Sequence, residues 1–285
     1  MASGFPRVTV AIPFAGGSMQ YLCSAWESLR SQDFLGWNAL VLDDTPGGSP
    51  NLAELVGGWN DSRIAYRRND GRHGIGAAWN ACMEAIDGEL FSLLHADDEL
   101  EPDYLSTMVN LARDHSSAAL YFCGATVVDA AGRPCFSLPD RTKDLIRAKG
   151  EPIVLSGAAS IERLIIGNFI MCPTVMYRRS VVRGRRFSER HRFVLDLRFN
   201  LGVLFDGGLI VGTNRKAYRY RRHWAQATAQ LATTGDRFAE ELELFREIGK
   251  AASEQGWRRV AIAARTRPVF RIHAALSRRW KYAFA

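Results

Sequence analysis

Two adjacent carboxylates, Asp97 and Asp98, follow an apolar run that begins at Phe91. Such a run predicts a buried strand, and two acids where the strand leaves the core repel each other and lose hydration. A divalent cation that holds a phosphate would remove this cost, because hard cations prefer carboxylate oxygens as ligands. The pair alone also fits a solvated turn in which Asp98 caps a helix that starts near Pro102.

Asp196 is a second carboxylate suited to chemistry, because it stands among apolar residues such as Val194 and Leu197. Apolar surroundings disfavour the ionised form of a carboxyl group and raise its pKa, which suits a general base. The alternative is an aspartate on a helix surface that pairs with Arg192 or Arg198.

The elements that must position these carboxylates follow a regular alternation. Strands are predicted at 7–13, 37–43, 63–67, 90–95 and 208–212, and helices at 21–32, from 51, at 75–86 and at 102–115. This alternation predicts an α/β fold with a mostly parallel central sheet and helices on both faces. The segments 119–129 and 133–138 flank a short turn and predict a hairpin.

Polar or unusual residues collect at the predicted carboxyl ends of three strands. They are residues 13–16 after the first strand, Asp43 and Asp44 after the second, and 95–98 after the fourth. Ligands of open parallel sheets bind at these ends, so the three groups together predict one site.

Composition excludes several classes of protein. The 285 residues suffice for one large domain or a domain with an appendage. The sequence contains no uncharged apolar run of about eighteen residues, so no membrane-spanning helix is predicted. The N-terminus lacks the basic and apolar regions of a signal peptide. The five scattered cysteines are typical of a reduced, cytosolic protein.

The net charge of +7 comes from the C-terminal segment. Residues 257–285 carry eight basic residues and no acid, so the remainder is close to neutral and a nucleic-acid partner is disfavoured. An amphipathic helix is predicted before this segment, at 236–255. Cations interleaved with aromatic residues suit an anionic membrane surface, at about 1 kcal/mol for each nearby cation. The alternative is a C-terminal helix packed on its own domain.

Several further motifs stand in order along the chain. They are 8–13, 28–32, 40–44, Asn69 with Gly74, 78–80, 85–89 and the Asp97–Asp98 block with Pro102. Together these motifs resemble the family-2 glycosyltransferases, whose nucleotide-sugar-binding domain has the GT-A fold. The resemblance covers about residues 7–225. It implies a GT-A domain at 1–225, made of a nucleotide-sugar-binding half at 1–115 and an acceptor half at 116–225, with a helical basic extension at 226–285.

The resemblance implies a donor site for a nucleotide-diphosphate sugar, with a UDP-sugar favoured. Asp44 would accept a hydrogen bond from the base, and Asp43 would shape the turn beside it. Arg72 and Arg222 would meet the diphosphate. The implied donor-binding residues are Pro13, Phe14, Ala15, Asp43, Asp44, Asn69, Arg72, Gly74, Asp97 and Arg222.

The resemblance also implies a Mn²⁺ or Mg²⁺ ion, held by Asp97, Asp98 and His223, that neutralises charge on the leaving diphosphate. The family often has Asp-x-Asp here, and His95 stands at the first position of that motif. His95 is therefore either a buried core residue or a further group at the metal.

In the matching family segment, usually Glu-Asp, the aspartate is the base that deprotonates the acceptor hydroxyl. Asp196 matches that aspartate, whereas Leu195 stands where the glutamate is usual. Asn168 and Thr174 are implied on the acceptor side of the cleft. The resemblance implies inversion at the anomeric carbon. The absence of a Gln-x-x-Arg-Trp motif favours non-processive transfer. The expected acceptor is a cell-surface glycan or a lipid-linked saccharide. The expected location is the cytoplasm, at the inner face of the membrane.

Two other classes of protein remain as alternatives. A non-catalytic nucleotide-sugar binder or scaffold would account for His95 and Leu195, which replace acids. A dinucleotide-binding oxidoreductase is suggested by Gly74 and Gly76, but the motif lacks its third glycine, at the position of Trp79, and follows the wrong strand.

Overall fold

The computed structural model describes residues 7–135, 147, 150–223, 226 and 236–266. The strands are β1 Val8–Phe14, β2 Trp37–Asp43, β3 Ile64–Arg68, β4 Leu90–Leu93, β5 Glu99–Leu100, β6 Leu120–Val128, β7 Ile153–Leu155, β8 Val175–Arg178 and β9 Ile210–Arg221. The helices are α1 Met19–Arg30, α2 Leu52–Gly58, α3 Ile75–Ala85, α4 Tyr104–Asp114, α5 Gly157–Ile166, α6 Arg179–Val182, α7 Leu195–Phe205, α8 Asp236–Glu254 and α9 Arg258–Thr266.

All nine strands belong to one sheet in the order β3-β2-β1-β4-β8-β6-β9-β5, with β7 paired to β9. The strands β1 to β4 are parallel to one another, β8 runs antiparallel between β4 and β6, and β9 is parallel to β6. Six strands therefore run in the same direction. The predicted α/β class with a mostly parallel central sheet is confirmed.

Alternation along β1 explains why the sheet has a hydrophobic core on each face. Val8, Val10 and Ile12 join the core beneath α1, α2 and α4, whereas Ala11 joins the core beneath α3, α5 and α7. Successive side chains of a strand point to opposite faces, so a strand buried on both faces is apolar throughout. β1 has this character except for the buried Thr9, and only Pro13 is partly exposed.

The C-terminal helices α8 and α9 share the second of these cores. Leu244 and Phe245 of α8 and Val260 of α9 are buried in the same cluster as the apolar residues of α5 and α7. The helix predicted at 236–255 is present at almost those bounds. In the described part of the chain, no helix combines the length and apolar character needed to cross a membrane.

Three features of the sheet differ from the prediction. Every residue of β8 is buried, so the strand lacks the alternation by which an antiparallel strand is recognised. Strand β9 extends well beyond the predicted 208–212, because its second half pairs with β5 and β6 after a register shift near Gly124. The predicted hairpin is represented by a bridge between Val128 and Pro134, and residues 136–138 lie outside the described chain.

Candidate active site

Four strands end at one edge of the sheet, and residues predicted to form the site follow them there. Strands β1, β2 and β4 are parallel, so their carboxyl ends lie side by side, followed by Ala15, Asp44 and the 95–98 segment. Strand β9 runs in the same direction and ends at Arg221, which brings His223 to this edge as well. The edge is the one at which ligands of open α/β sheets bind.

Asp43 organises the turn that follows β2. Its buried carboxylate accepts hydrogen bonds from the backbone N–H groups of Thr45 at 3.0 Å and Ser49 at 2.7 Å, and from the Tyr66 hydroxyl at 3.1 Å. Burial alone raises the pKa of this carboxyl, but the hydrogen bonds from Ser49 and Thr45 outweigh it and hold the pKa below its ordinary value. Asp43 therefore holds the turn at 45–49 in place from beneath.

Asp44 ties the loop at 69–74 to the end of β2. Its carboxylate accepts hydrogen bonds from Asn69 Nδ2 at 2.6 Å and from the Gly74 N–H at 3.0 Å, and His73 Nδ1 lies 2.9 Å from its carbonyl oxygen. Gly74 has φ 111°, which is left-handed space that favours glycine. The same loop carries exposed Arg72, whose guanidinium lies 2.9 Å from Glu189 Oε2.

The remaining residues predicted near the base differ in exposure. Phe14 is buried in the core of the sheet, Pro13 is partly exposed and Ala15 is exposed. The pocket-lining role predicted for these three residues remains a prediction.

His223 meets a cluster formed by His95, Asp97 and Asp98, which we call the acidic block. His223 Nε2 lies 2.9 Å from Asp97 Oδ2, although the two residues are 126 positions apart in the chain. His95 Nδ1 lies 3.6 Å from Asp98 Oδ2. Ligand atoms of His95, Asp97 and Asp98 all lie within 4.8 Å of one another. Carboxylate oxygens are ligands that Mg²⁺ and Mn²⁺ prefer, and imidazole nitrogen is a ligand of many transition metals, so this cluster could hold a divalent ion.

Asp98 is the buried member of this block. Its Oδ1 accepts a hydrogen bond from the Arg221 N–H at 2.8 Å and its Oδ2 from the Tyr218 hydroxyl at 3.1 Å. Burial and the neighbouring charge of Asp97 raise the pKa of the Asp98 carboxyl well above its ordinary value, and the two hydrogen bonds oppose this shift. A carboxylate held in this way is held in one orientation and favours a nearby positive charge.

His95 is in the same environment. Its ring stacks on Trp79 with 5.7 Å between centroids, and burial lowers the pKa of its imidazole, opposed by the charge of Asp97. The Nε2 atom of His95 is buried without a hydrogen-bond partner. Buried polar atoms without partners are rare in native proteins. A neutral imidazole with a free nitrogen fits a ligand of the divalent ion implied here.

Arg221 is a site residue that sequence reasoning missed. Its buried guanidinium donates to the Asp97 carbonyl oxygen at 2.8 Å, forms an ion pair with Glu99 and lies over the Tyr21 ring, 4.7 Å from its centroid. Predicted Arg222, in contrast, places its guanidinium 5.5 Å from the centroid of the Tyr220 ring.

A two-residue period was the signal for Arg221. Arg219 and Arg221 alternate along β9 and both reach Glu99, which lies on β5. Side chains two positions apart share one face of a strand, so two arginines at this spacing indicate an acidic partner on a neighbouring strand. Because β5 consists of only two residues, it could not be predicted from its own sequence.

Asp196 lies in the first turn of α7 and is partly exposed. Three ring contacts connect this helix to the acidic block. Phe199 stacks on Phe187 at 4.5 Å, Phe187 meets Trp79 edge-on at 5.0 Å, and Trp79 stacks on His95. The catalytic role predicted for Asp196 is not tested by these contacts.

The two residues predicted on the acceptor side are held by local hydrogen bonds. Asn168 Oδ1 accepts from the Ile170 N–H at 3.2 Å, and buried Thr174 donates from its hydroxyl to the Met171 carbonyl oxygen at 2.8 Å. Thr174 closes a short 3₁₀ helix at Cys172–Thr174 immediately before β8. Both assignments to the acceptor remain predictions.

Comparison with known proteins identifies the family of this chain and solved structures that share its fold. The model of glycosyl transferase family 2 matches residues 9–185. EpsH of Bacillus subtilis, named as a glycosyltransferase, is 29% identical over 209 residues, which are 71% of this chain and 57% of EpsH. The chain spans about two-thirds or less of the length of the curated relatives it matches.

Two solved structures share the fold. S. aureus TarS in complex with UDP-GlcNAc superposes with a TM-score of 0.65 at 16% identity, covering 86% of this chain and 66% of TarS. The mannosyltransferase PcManGT of Pyrobaculum calidifontis, in complex with GDP-Man and Mn²⁺, has a TM-score of 0.62 at 15% identity and covers 95% of this chain and 76% of PcManGT. At these identities the likeness concerns the fold.

Proposed function

The chain belongs to glycosyl transferase family 2, and on this basis we propose that it transfers a sugar from a nucleotide-diphosphate donor to an acceptor hydroxyl with inversion. A UDP-sugar is the favoured donor. The observation that carries the proposal is the contact of His223 with Asp97 at the carboxyl edge of the sheet, where Asp97 also lies close to Asp98 and His95. Residues 126 positions apart are brought together where a diphosphate would bind.

A divalent ion, Mn²⁺ or Mg²⁺, belongs to this proposal. Asp97, Asp98 and His223 would hold it, and the unpartnered Nε2 of His95 offers a further donor. Such an ion supplies positive charge that stabilises the leaving diphosphate. The Mn²⁺ named with PcManGT and the UDP-GlcNAc named with TarS support this choice of ligands.

The protein's own residues divide the remaining work. Asp44 and the loop it anchors would meet the base and ribose, and Arg72 and Arg222 would pair with the diphosphate. The carboxylate of Asp196 would take the proton from the acceptor hydroxyl. The acceptor oxygen then attacks the anomeric carbon as the bond from that carbon to the diphosphate oxygen breaks. One displacement on the opposite face inverts the configuration, and one general base suffices.

The acceptor and its location are the broadest part of the proposal. We expect single additions to a cell-surface glycan or lipid-linked saccharide, with Asn168 and Thr174 on the acceptor side. The basic segment 257–285 would bring the enzyme to an anionic membrane surface at the cytoplasmic face. Residues 267–285 of this segment lie outside the described chain. The division into a GT-A domain at 1–225 and an extension at 226–285 stays part of this proposal.

A donor panel tests the function directly. UDP, GDP, dTDP, CDP and NAD are each added with and without Mn²⁺, and the melting temperature is measured. A ligand at a hundred times its dissociation constant adds about 2.7 kcal/mol of stability. We expect a Mn²⁺-dependent shift with UDP that disappears in His223→Ala, and release of UDP from a UDP-sugar on addition of acceptor. A shift with NAD alone would contradict the proposal.

A non-catalytic nucleotide-sugar binder is the second candidate, favoured by Leu195 and His95 at positions where the family has acids. The two candidates differ in turnover. Sugar transfer by the wild type that is lost in Asp196→Asn would exclude the binder. Donor binding without transfer by the wild type would support it.

A further inference from the structure

The catalytic helix α7 begins without a cap of its own. The first N–H groups of any helix have no partner within the helix and need acceptors from elsewhere. The usual supplier is Ser, Thr, Asp or Asn at the N-cap position, but α7 has Val194 there and its side chain makes no such bond. The sequence that precedes Val194 is Arg192 and Phe193, neither of which offers an acceptor side chain.

Glu240 of α8 supplies an acceptor for the N-cap residue Val194 and for the two residues before it. Its Oε2 accepts hydrogen bonds from the backbone N–H groups of Phe193 at 2.7 Å, Arg192 at 3.1 Å and Val194 at 3.2 Å. Its Oε1 accepts from the Arg192 N–H at 2.9 Å. A carboxylate at a helix N-terminus is also stabilised by the positive end of the helix dipole. One side chain thus fixes the backbone that leads into α7.

Further contacts join α8 to the segments around α7. Glu243 and Glu247 lie on the same face of α8 as Glu240, at the spacing of neighbouring helical positions. Glu243 forms an exposed ion pair with Arg190, and Glu247 Oε2 lies 2.5 Å from Arg198 Nη1. Phe245 of the same helix is buried in the core that α7 also lines.

Asp196 lies next to this contact. Burial raises the pKa of the Glu241 carboxyl, Arg237 opposes the shift, and the charges of Asp196 and Glu240 raise it further. The carboxylates of Asp196 and Glu241 therefore interact electrostatically across the interface between α7 and α8. Leu195, which stands where the family segment usually has a glutamate, is buried. The carboxylate of Glu240 is hydrogen-bonded to the backbone that enters α7.

We propose that Glu240 is a positioning residue for Asp196, and this inference rests on the proposed function. By holding residues 192–194, Glu240 fixes the first turn of α7 and so the place of the Asp196 carboxylate relative to the acceptor. The C-terminal helix is then a component of the catalytic site rather than an addition to a finished domain.

The test compares Glu240→Ala, Glu240→Gln and a matched control, Glu243→Ala, in the full chain. The control removes an acid from the same face of α8 that contacts no N–H group of α7. Each variant is measured for kcat and donor KM at saturating acceptor, and for amide hydrogen exchange at 192–196. The exchange measurement reports the contact itself, whereas kcat reports its consequence.

We expect Glu240→Ala to lower kcat by about tenfold or more with donor KM unchanged, because small displacements of a catalytic group have effects of this size. Amide exchange at 192–196 should accelerate by about tenfold, reflecting a lost cap. Glu240→Gln keeps one acceptor oxygen and should be intermediate, which also serves if the alanine variant fails to fold. Glu243→Ala should retain wild-type kcat, because its ion pair is exposed and Glu247 and buried Phe245 still dock α8.

The outcomes separate the two levels of the proposal. If the wild type transfers sugar and Glu240→Ala has the same kcat, the positioning role is refuted while the proposed function stands. An equal loss in Glu243→Ala would also refute it, because general weakening of α8 would then be the cause. If the wild type transfers sugar from no donor, the positioning role falls together with the function.

Discussion

Gly76 lies in the first turn of α3, where there is no space for a side chain. A Cβ atom at this position would lie 2.3 Å from the Ser188 carbonyl oxygen and 3.1 Å from Glu189 Cα. Ordinary contacts begin at 3.4 Å, so the 187–189 segment would have to retreat by about 1 Å in Gly76→Ala. It is not free to do so, because Asn80 bonds both the N–H of Phe187, at 2.8 Å, and its carbonyl oxygen, at 3.0 Å.

The cost of Gly76→Ala follows from two opposing effects. Overpacking costs about 1–3 kcal/mol, and the better helix propensity of alanine recovers about 0.5–1 kcal/mol. The net loss is roughly 0–2.5 kcal/mol, and the upper part of this range is expected because the clashing atoms are backbone atoms of a segment that Asn80 holds. In a domain of this size each kcal/mol shifts the melting temperature by about 2–4 °C, so a fall of several degrees is expected. Phe187 contacts both Trp79 and Phe199, so kcat should fall as well, because α7 moves with the segment.

Gly57→Ala is the matched control for this experiment. Gly57 is also helical, in α2, and a Cβ there meets nothing within 4 Å. Its melting temperature should stay equal to that of the wild type or rise, since only the propensity gain remains. Differential scanning fluorimetry and steady-state kinetics provide the two measurements. A Gly76→Ala protein that melts at or above the wild-type temperature would refute the close packing of α3 against residues 187–189.

Three further predictions concern separate parts of the molecule. Asp43→Asn should destabilise the fold by about 1–3 kcal/mol in urea unfolding, because three donors lose an ionised acceptor. Because the folded pKa of Asp43 is depressed, this contribution is present above pH 3.8 and is lost as the pH falls through the folded value, so the variant should show a flatter acid limb. Asp98→Asn keeps an acceptor for the Arg221 N–H, so its stability without ligands should change by less than about 1 kcal/mol while the Mn²⁺-dependent UDP shift disappears; a retained shift would contradict the metal role. Removal of 257–285 should abolish binding to anionic liposomes at low salt, and unchanged sedimentation with the liposomes would exclude membrane contact through that segment.

The first half of the fold could be predicted from sequence because its signals are local. Strands β1, β2 and β4 are mostly apolar runs, β3 is short, and each of the four is followed by a helical pattern of suitable length. Parallel pairing then determines that Asp44 and Asp97 share an edge. The meeting of His223 with Asp97 followed only from family resemblance, because nothing local in β9 indicates which strand it pairs with.

The second half was less predictable because its contacts are distant in sequence. The role of Glu240 depends on a helix that docks 46 to 48 positions away from the amides it binds. A charged residue on an amphipathic helix is normally a solvated surface residue, so its pattern carries no sign of this contact. Arg221 was likewise missed, because its two-residue spacing from Arg219 is informative only once Glu99 is known to lie on the neighbouring strand β5.

The late arrival of β9 has a consequence for how the protein is made. A nascent chain contains Asp97 and Asp98 long before it contains Arg221 and His223, and ribosomes add about 5–20 residues per second. Until β9 emerges, Asp98 lacks the N–H and hydroxyl groups that hold it, and β5 lacks its only pairing strand among the described residues. A prematurely terminated product would therefore carry the acidic block without the groups that complete it.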